Sequence, residues 1–182
     1  MNDFKTIAFS RKVELSFSHP CEIVSPFFDP KWRNLLYQWW RPEILAPPIG
    51  PGLTGLVQRV TPPSLSAGSG IILSVHDHNQ QDWQIYYSVV WGDYELQQIR
   101  INCSPNTSGG TDAVWTEKIA GFGSHGVKPV SEFVNTKTLE SRVNTYRNAI
   151  DAHISGKDPG KFNGHLKMYG DGVIPQQTDL DE

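Results

Sequence analysis

The first part of the chain alternates between apolar and polar residues, which is typical of a strand buried on one face. Every second residue of a strand points to the same side. Between Phe4 and Ser18 the odd positions carry the apolar residues Ile7, Phe9, Val13, Leu15 and Phe17. Lys12, Glu14 and Ser16 fall between them. The pattern predicts a long first strand whose odd-numbered residues face the core.

Two short helices are predicted after this strand. Pro20 followed by Glu22 suits a helix start, and Pro26 limits that helix to little more than two turns. Asp29 is a good N-cap and Pro30 a good first helical residue for a second helix, over residues 31–40.

The middle of the chain reads as a series of strands with short turns. After a proline-rich segment, apolar stretches are separated by turns rich in Gly, Pro, Asn and Ser. Consecutive strands with such turns form an antiparallel meander. The predicted strands cover residues 53–61, 71–77, 83–91, 94–103 and 111–120.

A long helix is predicted near the end of the chain. Apolar residues recur at spacings of three and four and form one stripe: Leu139, Val143, Tyr146, Ala149, Ile150 and Ile154. Arg142 lies off this stripe, and Gly156 is a stop signal. We expect one domain over residues 1–156 and a polar, poorly ordered tail over residues 157–182.

Composition narrows the function classes. The 182 residues include 6 Trp, 6 Tyr and 8 Phe, so wholesale disorder is excluded. The net charge of −3 gives no basic surface, and we expect no nucleic-acid partner. The two cysteines are too few for a disulfide scaffold. With neither a signal peptide nor an 18-residue apolar run, we expect a cytoplasmic protein without a membrane span.

The order of these elements resembles the helix-grip fold of the START-related superfamily, also called SRPBCC. This group includes birch-pollen-allergen-like proteins, polyketide cyclases and Hsp90-activator-like proteins. Four local patterns are similar to the superfamily's: Pro20 to Val24 at the first helix, Trp39 to Pro42 after the second, Gly109 to Thr111 before the last strand, and Ile154 to Gly156 at the helix end. The similarity covers about residues 13–156.

The resemblance implies an α+β fold. A curved antiparallel sheet of about six to seven strands would wrap around the long C-terminal helix, with two short helices after the first strand. It also implies a cavity between sheet and helix, opening near the short helices and hairpin loops. We therefore expect binding of a hydrophobic or amphipathic small molecule. The alternatives are a polyketide cyclase or dehydratase on the same scaffold and an Hsp90-activator-like interaction module. Whether the protein forms a homodimer is left open by the sequence.

The residues expected to bind the ligand share the face of the sheet that looks at the helix. Glu117 would be the main ionisable group, unless a bulge turns it to solvent. The candidate residues are Leu73, Val75, Ile85, Tyr87, Ala113, Trp115 and Glu117 on strands, with Val143 and Tyr146 on the helix.

The histidines are weaker candidates. His76 and His78 could chelate a metal together, but alternation with Leu73 and Val75 predicts both on the outer, solvated face. His125 lies in a glycine-rich loop and could serve in acid–base chemistry near the cavity mouth. The sequence has no nucleophile elbow and no phosphate-binding loop. We expect no metal and no cofactor, and no catalytic residue can be assigned.

Overall fold

The fold was determined as a computed structural model, which describes residues 6–35, 41–50, 52–61, 70–92, 95–123 and 138–157. Several expectations concern residues outside these ranges: Trp39 and Trp40, His125, the 62–69 loop and the tail after residue 157. They stay predictions.

Seven antiparallel strands form one sheet in the order β1-β7-β6-β5-β4-β3-β2. Their bounds are β1 Thr6–Phe17, β2 Glu43–Ala46, β3 Val57–Val60, β4 Ile71–Asn79, β5 Gln84–Trp91, β6 Glu95–Pro105 and β7 Thr111–Phe122. Every pair from β2 to β7 is sequential, and the last strand returns to pair with the first. The meander predicted from the turns is confirmed.

The segment between β1 and β2 forms short helices, as predicted. Helix α1 spans Cys21–Val24 and runs into a 3₁₀ helix over Ser25–Phe28. A second 3₁₀ helix spans Pro30–Leu35, where an α-helix was expected. The chain is extended at Asp29 between the two 3₁₀ helices. The buried residues of these three short helices, among them Val24 and Phe28, pack into the same core as the sheet.

The long helix, α2, spans Thr138–Ile154. Its predicted stripe is confirmed where the side chains are described, since Val143, Tyr146, Ala149 and Ile150 are all buried. Arg147 ties the helix to β1, because its Nε donates a hydrogen bond of 3.1 Å to the carbonyl oxygen of Ser16. The helix therefore lies in the grip of the curved sheet.

Alternation of buried and more exposed residues is clearest in β1, β4, β6 and β7, and the buried residues form a single core. In β7 the residues from Thr111 to Gly121 alternate between buried and more exposed positions. In β4 the alternation holds from Ile71 to Val75 and then shifts by one residue, because the pairing with β5 has a β-bulge between Val75 and Asp77. Residues after the bulge therefore face the opposite side from the one that simple counting assigns.

No helix in the described ranges is long and apolar enough to cross a membrane.

Candidate functional site

The space between the sheet and α2 contains the residues predicted to bind a ligand. Their side chains do point inward. Trp115 is 3% exposed and Tyr87 1%. The other predicted residues are also buried: Leu73, Val75, Ile85, Ala113, Glu117, Val143 and Tyr146. The inward orientation of these nine residues was thus predicted correctly.

Charged side chains occupy part of this interior. Arg142 of α2 donates a hydrogen bond through Nη2 to Glu117 Oε2, and the side chains of the pair are 2% and 0% exposed. Trp115 Nε1 donates to the same carboxylate oxygen over 3.1 Å. The expectation that Arg142 lies on the polar side of its helix was wrong, because a buried carboxylate on β7 draws the guanidinium inward.

A second arginine enters from the short helices. Arg33 lies with its guanidinium over the Tyr87 ring, 5.2 Å from the centroid, and donates to the Tyr87 hydroxyl. Burial raises the pKa of Tyr87, while the nearby Arg33 charge opposes that rise. The phenol is therefore a neutral hydrogen-bonding group at neutral pH.

Aromatic rings also pack in the space between the sheet and α2. Phe28 makes edge-on contacts with Phe17, Trp115 and Tyr146, with ring centroids 6.1–6.3 Å apart. The Tyr146 hydroxyl donates to the carbonyl oxygen of Phe27. A small void of about 10 Å³ lies in this region and is lined by Arg33, Trp115, Arg142, Val143 and Tyr146.

A larger cavity lies on the other side of Phe28. Its volume is about 300 Å³. It is bounded by α1 and the first 3₁₀ helix, by the β4–β5 hairpin, and by β6. The lining residues are Glu22, Ser25, Pro26, Phe28, Asp29, His78, Asn79, Gln80, Trp83, Gln84, Ile85, Ile101 and Cys103. Of the nine residues predicted to bind a ligand, Ile85 is the one in this lining; for all nine the binding role stays a prediction.

The cavity has an apolar floor and a polar mouth. Phe28, Ile85, Ile101 and Cys103 are buried, whereas Glu22, Pro26, Gln80 and Gln84 are exposed. Burial, reinforced by the nearby Cys21, raises the pKa of the Cys103 thiol to about 12. Cys103 is thus an apolar part of the floor at neutral pH.

His78 and Asp29 form a buried pair in the wall. The His78 side chain is 7% exposed, and its Nε2 lies 3.1 Å from Asp29 Oδ1. The prediction that His78 is solvated on the outer face was wrong, because the bulge after Val75 turns it inward. His76 is exposed and contacts Ser88 and the Tyr86 ring. The two histidine side chains therefore have different surroundings and do not form a common metal site.

Both nitrogens of His78 are engaged. Its Nδ1 accepts the backbone N–H of Leu53 over 2.8 Å, so the ring proton lies on Nε2, the nitrogen that is 3.1 Å from Asp29 Oδ1. An imidazole held in this way has no free lone pair to take a proton from a substrate. No group of three or more potential metal ligands occurs among the described residues.

One wall residue has an unusual backbone. Trp83 is the single non-glycine residue of the described ranges with a positive φ, at 51°. This conformation is rare for a bulky side chain and costs about 1–2 kcal/mol. It places Trp83 at the end of the β4–β5 turn with its ring in the cavity wall. Sequence patterns contain no signal for it, because turns of this kind normally carry Gly or Asn.

Comparison with known proteins gives fold neighbours only. No family model and no curated protein matches the sequence. A solved structure of an uncharacterised protein from Rhizobium leguminosarum superposes with a TM-score of 0.58 at 11% identity, covering 85% of this chain and 99% of that one. Ara h 8.0201 gives a TM-score of 0.58 at 14% identity, covering 83% and 100%.

Norcoclaurine synthase from Thalictrum flavum gives a TM-score of 0.55 at 15% identity, covering 82% of this chain and 88% of that one. These three likenesses each cover 82–85% of the chain. The chain therefore has the helix-grip fold, as the order of its elements predicted.

Proposed function

We propose that this protein binds a small amphipathic molecule in the cavity between its short helices and the β4–β5 hairpin. The observation that carries the proposal is the cavity itself. Its volume of about 300 Å³ stands at the small end of the range of about 300–1,000 Å³ that ligand sites occupy. Its floor is apolar, but seven of its thirteen described lining residues are polar, so the cavity suits an amphipathic ligand better than a purely apolar one.

The place of the cavity agrees with the expectation for this fold, which put the opening near the short helices and the hairpin loops. The ligand would lie nearer to these loops than expected. Arg33, Arg142 and the aromatic rings around Trp115 occupy the space deeper between sheet and α2. Among the neighbours, the synthase is by its name an enzyme, so catalysis on the same scaffold is the alternative.

Titration with a small neutral probe, 2-phenylethanol, tests the proposal. Two-dimensional NMR of the native protein should show saturable shifts at the amides of residues 22–29 and 78–85. A Ser25→Phe variant, which places a ring in the cavity wall, should weaken binding at least tenfold. The matched control is Ser104→Phe on the exposed side of β6, where binding should not change.

The same titration distinguishes the two locations. If Trp115→Phe weakens binding and Ser25→Phe does not, the ligand lies between the sheet and α2, at the residues first expected from the sequence. Absence of saturable shifts with a folded protein would contradict a binding function for this cavity.

A further inference from the structure

The wall of the cavity contains a buried carboxylate whose charge is only partly compensated. The Asp29 side chain is 5% exposed. His78 Nε2 lies 3.1 Å from its Oδ1, and the Leu53 N–H that Nδ1 accepts occupies the other ring nitrogen. With Nδ1 acting as an acceptor, His78 brings no positive charge to Asp29.

The second oxygen of Asp29 is the open position. Oδ2 accepts no hydrogen bond from the part of the chain that the structure describes, and its nearest cation is Lys31 Nζ at 3.7 Å. The Lys31 side chain is 59% exposed, so its charge is largely hydrated and screened. A carboxylate withdrawn from water is costly unless a charge partner or further hydrogen bonds compensate it.

The remaining lining suits a positively charged occupant. Among the described residues that line the cavity there is no Lys or Arg, while Glu22 adds a second carboxylate at the mouth. Trp83 and Phe28 supply aromatic faces. Such faces attract cations and also pack against an apolar body.

We propose that the occupant of this cavity is a small organic cation, with its ammonium group on Asp29 Oδ2 and its apolar part against Trp83 and Phe28. The inference rests on the proposed binding function, because it names the chemical class of ligand for the same cavity. It also accounts for a bulky Trp83 at a backbone position where glycine would be less strained.

Three probes of nearly equal size test the inference: 2-phenylethylamine, which is protonated at neutral pH, neutral 2-phenylethanol and anionic phenylacetate. Isothermal titration of the native protein should give the amine about tenfold tighter binding than the alcohol, the scale of one charge-assisted hydrogen bond. Phenylacetate should bind most weakly.

Variants assign the preference to Asp29. Asp29→Asn removes the negative charge with almost no change of size, so the contact of 3.1 Å with His78 Nε2 can be kept. The amine should fall to the affinity of the alcohol, and the alcohol should bind as before. Lys31→Met removes the competing ammonium and should tighten amine binding a few-fold. Glu14→Gln, an exposed carboxylate on β1, is the control and should change neither ligand.

The outcomes separate the two claims. If none of the three probes binds saturably, the proposed binding function fails. If the alcohol or phenylacetate binds as well as the amine, or if Asp29→Asn leaves the amine preference intact, the cavity binds ligands but the cation assignment is overturned. Lys31→Met gives a second reading should Asp29→Asn fail to fold, and an unchanged amine affinity in Lys31→Met would contradict the assignment.

Discussion

Removing Arg142 should be among the most damaging single changes in the protein. Arg142→Met leaves the side chain of Glu117, which is 0% exposed, without its cation. The carboxylate would keep one described donor, Trp115 Nε1 at 3.1 Å, and its Oε1 already lacks a hydrogen-bond partner among the described residues. Breaking a buried ion pair from one side costs about 3–5 kcal/mol, because the remaining charge stays in the interior.

That loss is large against the whole stability of a domain, which is about 5–15 kcal/mol. For a domain of this size it corresponds to a fall in melting temperature of about 6–20 °C. Urea unfolding followed by tryptophan fluorescence and by circular dichroism measures the free energy of unfolding. If the slope of the unfolding free energy against urea concentration is unchanged, the variant's native state is as compact as that of the parent.

The double variant Arg142→Met with Glu117→Leu checks the reasoning. It removes both charges and replaces them with apolar groups, which is often neutral or stabilising. We expect the double variant to be more stable than Arg142→Met alone, although it carries one more substitution. A loss below about 1 kcal/mol for Arg142→Met, or a double variant that is less stable than the single one, would refute the account of a buried, charge-dependent interior.

Three further predictions follow from single positions. Because burial raises the pKa of Cys103 from its ordinary 9.0 to about 12, the stability it contributes is complete below pH 9 and is lost between pH 9 and 12; Cys103→Ala should flatten that part of a pH–stability curve. Since Trp83 has a φ of 51°, the free energy of unfolding of Trp83→Gly, measured with urea, should exceed that of Trp83→Ala by about 1 kcal/mol. At most positions alanine is the more stabilising of the two residues. A Cβ at Gly110 would lie 2.1 Å from the Phe17 carbonyl oxygen, so Gly110→Ala should cost about 1–3 kcal/mol, whereas Gly50→Ala, with open space around it, should cost little.

The architecture was predictable because most of it follows from periodicity. Alternation in β1 and β7 and the stripe on α2 hold for most of their length. Glycine- and asparagine-rich turns separate strands that pair in sequence order, and this order identifies the sheet. Strand β2 was missed because its four residues lie in a proline-rich stretch and three of them are exposed, so they show no alternation.

The side chains of the candidate site were less predictable, for two physical reasons. A bulge after Val75 reverses the face of His78, and a bulge depends on pairing with another strand rather than on local sequence. Arg33 and Arg142 look like solvent-facing charges in a helix pattern. They are buried because Tyr87 and Glu117, which are distant in sequence, offer them partners.

The aromatic content of the chain is compatible with a hollow interior and with a filled one. Between the sheet and α2 the interior is filled in part by the side chains of Arg33 and Arg142. Phe28 separates the two regions: its ring contacts Trp115 and Tyr146 on one side and lines the larger cavity on the other. Phe28 ends the first 3₁₀ helix, and the extended residue after it, Asp29, has its carboxylate beside His78. One local feature of the short helices therefore limits the cavity and also gives it its charge. Under the proposed binding function, ligand specificity should depend on the short helices and the β4–β5 hairpin more than on the strands that face α2.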